Sequence, residues 1–168
     1  MSSQKDAHRQ ANIPSDTAGS AAAHESETLT SELLERLLAS ATPEAYLDTT
    51  TLEGRGLHEF LLELLEQKKL TRSQVIRASG INGTFCYQLF QGARHPSRDT
   101  ALMLSLGMNC DLQETQRILR LSGHAELWPR KSRDAIIIFC IEHGLSREQT
   151  DDELFRFGEK TLLDGGEG

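Results

Sequence analysis

Two short stretches with apolar residues at helical spacing, 71–79 and 83–90, are separated only by Gly80, Ile81 and Asn82, and no other feature constrains the chain as much. Leu70 is apolar and Thr71 is a natural N-cap, after which Val75, Ile76 and Ser79 turn inward. Gly80 stops that helix, because a glycine just past the last turn takes φ > 0 without a Cβ clash, and Ile81 then fills the elbow. Asn82 is a second N-cap. Behind it Phe85, Cys86, Leu89 and Phe90 provide apolar groups at helical spacing, while Gly83, Thr84, Tyr87, Gln88 and Gln91 face more outward. Gly92 ends the second helix, and Arg94, His95, Pro96 and Ser97 form a polar turn.

The flanking sequence keeps the same period. Leu57, Phe60, Leu61, Leu64 and Leu65 predict a helix over 57–68 that supports the turn, and Thr100 to Leu106 is apolar enough for a fourth helix. Asp111 caps a fifth through Leu112, Ile118, Leu119 and Leu121, and Gly123 ends it. Ser132 caps a sixth, whose nearly continuous apolar run from Ala135 to Ile141 would read as a strand in isolation. Its caps, Gly144, and the polar helix that opens at Ser146 and runs to about Phe157 make it a buried helix instead. Trp128, before Pro129, reads as a core plug at a loop. Strand signals are absent elsewhere, so the fold class is all-α: a five-helix domain extended by two C-terminal helices.

Residues 1–28 carry almost no large apolar side chain and cannot offset their ordering entropy, so a disordered tail is expected. Residues 29–54 read as an amphipathic helix and linker. Ser31 caps a stripe of Leu33, Leu34, Leu37 and Leu38, and a short second turn runs from Pro43 to Leu47; this helix packs on the main domain or on a partner. Residues 55–108 then form the domain of the turn motif, and 109–168 a C-terminal helical extension.

The pattern Leu70-Thr71, Gly80-Ile81, the cap at Asn82, apolar Cys86 and Leu89, Gly92, and Pro96-Ser97 before an apolar helix resembles the lambda-repressor-like (XRE-type) helix-turn-helix family. The likeness covers about Leu57 to Met108, under a third of the chain, and Gln88-Leu89-Phe90-Gln91-Gly92 is especially similar to phage repressor domains. The resemblance implies a helix at 82–91 inserted into the major groove of double-stranded DNA. It implies that Arg72 contacts the phosphate backbone or buttresses that helix, that Gly83, Thr84 and Gln88 occupy base-reading positions, and that Gln91 and Arg94 sit at a backbone-contacting end. Two positions depart from the family. Ile76 replaces a small residue, so the helices cross more widely or Ser79 compensates. Gly83 has no side chain, which leaves readout to Thr84, Tyr87 and Gln88, with Phe85 against a thymine methyl. Arg98, on the same turn as Arg94, is a further candidate for phosphate contact.

Charge is distributed in keeping with this. The chain carries −7 overall, yet residues 55–130 hold ten basic and seven acidic groups, net +3, while 1–54 carry −6 and 131–168 carry −4. Three cysteines with no CxxC spacing, Cys86, Cys110 and Cys140, point to a reduced, cytoplasmic setting. No apolar run approaches the roughly 20 residues of a membrane span, and the N-terminus lacks the apolar core of a secretory signal. Cys140 and His143 share a helical face with Cys110 as a distant third group, short of the four ligands of a zinc site. His8, His24, His58, His95 and His124 show no ligand spacing. No phosphate loop, HExxH or positioned nucleophile is present, so neither an enzyme nor a cofactor is expected. The expected function is a sequence-specific DNA-binding regulator of transcription. Such modules usually bind as dimers, which puts a homodimer among the expected partners. The alternative is a helical adaptor that binds a protein through Tyr87, Phe85 and the acidic flanks.

Overall fold

The structure, a computed structural model, describes residues 34–49 and 56–165, and every regular element among them is helical. The chain divides into two compact units, Met1–Leu52 and Glu53–Gly168.

In the first unit, residues 34–39 are helical (α1) and Pro43–Thr49 forms α2. The Thr42 hydroxyl accepts from the Ala45 N–H at 3.2 Å and so opens α2. Leu34, Leu37, Leu38 and Leu47 are exposed and Tyr46 is buried. The Ser31 cap, Leu33 and the tail over 1–28 lie outside the described residues.

The second unit begins with α3, Leu57–Lys68, whose Leu57, Phe60, Leu61, Leu64 and Leu65 are all buried. Next come α4, Arg72–Ser79, and α5, Gly83–Phe90. Helix α6 spans Arg98–Gly107, starting two residues before the expected apolar run because the Ser97 hydroxyl accepts from the Thr100 N–H and caps it. All seven residues from Thr100 to Leu106 are buried, which makes α6 the central helix of the unit. Around it run α7, Leu112–Leu121, α8, Ser132–Glu142, and α9, Arg147–Arg156, with a 3-10 turn at Leu163–Gly165. One apolar core joins Leu61, Leu64 and Leu89 to Leu102, Leu104, Ile118, Leu119, Ile137, Leu154 and Leu162. At about 1.5–3 kcal/mol for each fully buried aliphatic side chain, this shared core binds α7–α9 to the helices before them.

Three expectations shift here. The run from Ala135 to Ile141 is helical, but only Ile137, Cys140 and Ile141 of it are buried; Phe139 is 54% exposed and stacks on His143 with ring centroids 3.8 Å apart. The N-cap of α8 is Lys131, without a side-chain cap, because the preceding turn bonds the Lys131 N–H to the Trp128 carbonyl at 3.0 Å and makes Ser132 the first helical residue. Trp128 is not a core plug, since it is 56% exposed and Leu127 fills the core at 3%. Gln116 fixes that register by accepting from the Leu127 N–H at 2.7 Å and donating to its carbonyl at 3.0 Å, while the Trp128 N–H donates to Asp134 at 3.0 Å.

Candidate functional site

The connection between α4 and α5 is set residue by residue. The Thr71 hydroxyl accepts from the Gln74 N–H at 3.2 Å, and the Gln74 side chain accepts from the Thr71 N–H at 2.8 Å, a reciprocal cap that fixes where α4 begins. Gly80 closes α4 at φ +73, with its N–H on the Ile76 carbonyl. The Ser79 hydroxyl donates to the Ile76 carbonyl at 3.4 Å and accepts from the Ile81 N–H at 3.3 Å, which seats Ile81 in the elbow, 7% exposed. Asn82 then caps α5, its side-chain oxygen accepting from the Phe85 N–H at 3.3 Å. At the far end the Ala93 N–H returns to the Gln88 carbonyl at 2.9 Å, and Gly92 takes φ +72.

Helix α5 has two unlike faces. Cys86, Leu89 and Phe90 are buried. Thr84, Tyr87, Gln88 and Gln91, spaced i, i+3, i+4 and i+7, form the opposite stripe; Thr84, Tyr87 and Gln91 are exposed and Gln88 is half-buried. Phe85 does not belong to that stripe. It is half-buried and packs against the core, beside the stripe rather than within it.

Ile76 answers the question of helix approach. Its methyls lie 3.9 Å from where a Cβ on Gly83 would stand, so Gly83 meets a large side chain at ordinary contact distance. The tight crossing is elsewhere: a Cβ on Gly107 would come within 2.7 Å of the Ser79 Cβ and 2.8 Å of its backbone nitrogen, so α4 is pressed against α6 at that point. A small residue at 79 and none at 107 permit it.

Positive groups are placed unequally. The Arg72 guanidinium lies 5.8 Å from the Tyr87 ring centroid and 5.7 Å from that of Phe90, within cation–π range of both. It therefore lies between a ring of the exposed stripe and a ring of the buried side of α5. Burial pushes the nearby Cys86 thiol up to about 11, with the charge of Arg72 acting in the opposite direction. Arg94 is exposed in the turn after α5, as is Arg77 on α4. Arg98 is not available to a phosphate: its guanidinium donates to both carboxylate oxygens of Asp134, at 3.1 and 2.9 Å, and to the carbonyls of Ala125 and Glu126. His124, at the other end of the chain segment that Arg98 reaches, bonds the Pro96 carbonyl at 2.8 Å.

Two neighbours of the site were not visible in the sequence. The His58 imidazole from α3 lies 3.0 Å from the Cβ position of Gly92, at the end of α5. Arg147, the first residue of α9, is 8% exposed and lays its guanidinium against Gly80. Both come from helix starts that a one-dimensional pattern reads as solvated.

Among the described residues no three His, Cys, Asp or Glu side chains gather as metal ligands, and no helix is long and apolar enough to cross a membrane. The thiols of Cys86, Cys110 and Cys140 are free and buried. No family model, curated protein or solved structure matches the chain.

Proposed function

We propose that the protein is a sequence-specific DNA-binding regulator of transcription, built on a lambda-repressor-like helix-turn-helix in which α5 enters the major groove. The observation that carries this reading is the polar stripe Thr84, Tyr87, Gln88 and Gln91 on one side of a capped two-turn helix whose other side is anchored in the core. Gln and Thr side chains are hydrogen-bond donors and acceptors of the kind that read base edges. Asn82 and Gly83 bring the positive end of α5 to the DNA, Arg94 and Gln91 meet phosphates, and Arg72 holds α5 in place from below. Arg98 has no part in contact, and neither has Phe85. The reading involves no catalytic step and no cofactor. We place the protein in the cytoplasm, where three buried thiols stay reduced, and expect it to bind as a homodimer to a two-fold symmetric site.

A second reading rests on a different observation. Phe139, Phe155 and Phe157 are more than half exposed on the C-terminal helices, at 54, 79 and 59%, which suits an adaptor that binds a protein. Selection of bound genomic fragments at two salt concentrations, beside a Thr84→Ala/Gln88→Ala variant, separates the two. A shared site that the variant fails to enrich supports DNA reading; no enrichment at low salt favours the adaptor.

A further inference from the structure

Arg147 combines three energetic costs in one side chain. It is a cation in the first turn of α9, where the helix dipole is positive, it is 8% exposed, and its Nε has no hydrogen-bond partner. Against these costs stand its ion pairs within α9, to Asp151 and Glu148. Its guanidinium is turned face-on to Gly80: Nη2, Cζ and Nε lie 3.2, 3.4 and 3.4 Å from the position a Cβ would take. Three atoms of the guanidinium thus lie at nearly equal distance from that position, on one side of a glycine that is otherwise exposed. The head group is anchored from behind by Asp151 at 3.1 Å and Glu148 at 3.3 Å, and the other Asp151 oxygen accepts from the N–H of the fully buried Leu162 at 2.6 Å. A continuous line of contacts therefore runs from Leu162 through Asp151 and Arg147 to the residue at which α4 turns into α5.

We propose that Arg147 is a positioning residue for α5, and that through it the C-terminal helices set the angle at which α5 is presented to DNA. The proposal rests on the DNA-binding reading above. Glycine at 80 serves both requirements, since φ +73 disfavours a side chain and a Cβ there would press on the guanidinium at less than ordinary contact distance. Lysine cannot substitute, because an ammonium supplies charge to Asp151 but no flat surface to the turn.

The test uses the full chain carrying Arg147→Lys, with Arg147→Met/Asp151→Asn as a second variant that removes both charges and keeps an acceptor for Leu162. Amide chemical shifts of Gly80 to Gln88 are recorded first, at a temperature where thermal melts show each variant folded. Affinities for the selected site and a scrambled duplex follow. In both variants the amides of the turn and of α5 should shift, and affinity for the selected site should fall by about tenfold or more, as for loss of one well-placed base contact, while affinity for the scrambled duplex stays unchanged. Unchanged turn amides, or shifted amides with an unchanged ratio of affinities, would overturn the proposal. A wild-type protein that fails to distinguish the two duplexes overturns the DNA reading and the proposal's claim on specificity with it; shifted amides would then still mark Arg147 as what holds the turn.

Discussion

Arg98 at the start of α6 and Asp134 at the start of α8 meet in a two-pronged ion pair, Nη1 to Oδ1 at 3.1 Å and Nη2 to Oδ2 at 2.9 Å. Their chain neighbours pair in the reverse sense, Arg133 to Asp99 at 2.8 Å, so two adjacent Arg/Asp couples lock the two helix starts together. Asp134 is 2% exposed, and a third donor, the Trp128 N–H, occupies what remains of its carboxylate. The C-terminal helices are thereby tied to α6 by charge as well as by the shared apolar core.

Asp134→Ala should therefore destabilise the fold by about 2–4 kcal/mol, because it leaves the Arg98 guanidinium half-buried and the Trp128 N–H unpaired. Urea unfolding followed by circular dichroism measures this. A loss below about 0.5 kcal/mol, the range of an ordinary surface substitution, would show that the pair contributes no more than an exposed one.

The two glycines that face α4 should respond oppositely to alanine. Gly83→Ala places a methyl 3.9 Å from Ile76 at the start of a helix and should stabilise the protein by about 0.4–1 kcal/mol. Gly107→Ala drives a methyl to within 2.9 Å of three atoms of Ser79, backbone included, and should cost about 1–3 kcal/mol. Equal melting temperatures for the two variants would contradict the assignment of the tight crossing to α4 and α6.

Burial raises the Cys110 thiol from its ordinary 9.0 to about 12, with the neighbouring Glu114 adding to the effect and Lys68 opposing it. The folded state therefore holds this proton more tightly than the unfolded one. The stability this contributes is complete below pH 9 and is lost as pH rises toward 12, at up to about 1.4 kcal/mol per pH unit. The informative quantity is the stability of wild type minus that of Cys110→Ala, in which contributions common to both proteins cancel. That difference should be constant from pH 7 to about 8.5 and fall beyond it; a flat difference to pH 10.5 would show that the thiol is not held protonated.

The unequal placement of arginines predicts a split in salt dependence. Arg94→Ala should weaken binding to every DNA sequence and reduce the slope of log K against log salt by about 1. Arg98→Ala should reduce stability, while the slope for the folded protein stays as in wild type. A lowered slope in Arg98→Ala would put that side chain on the phosphates.

What was legible in the sequence is what neighbours in sequence decide. The bounds of α3 and the caps at Thr71, Asn82, Asp111 and Ser146 follow from spacing and from short polar side chains that bond an N–H three residues on. Trp128 was misplaced because size suggests burial, whereas Gln116, eleven residues before Leu127, decides which of the two enters the core. Arg98 resembled a phosphate contact because its partner lies 36 residues away. Arg147 gave no signal at all: an arginine after a serine cap reads as a solvated helix start, and only the folded chain brings it under Gly80. Within α5, the exposed stripe was readable from the period, but Phe85 was not, since its side chain lies between the two faces.

Base reading by α5 would show in the ratio of affinities for the selected site and for a scrambled duplex of the same length at about 0.15 M salt. Wild type should prefer the selected site by about a thousandfold or more, and Thr84→Ala/Gln88→Ala, still folded, should lose most of that preference while keeping its weak affinity for any duplex. A wild-type ratio near one, or a variant that retains the full preference, would contradict the account.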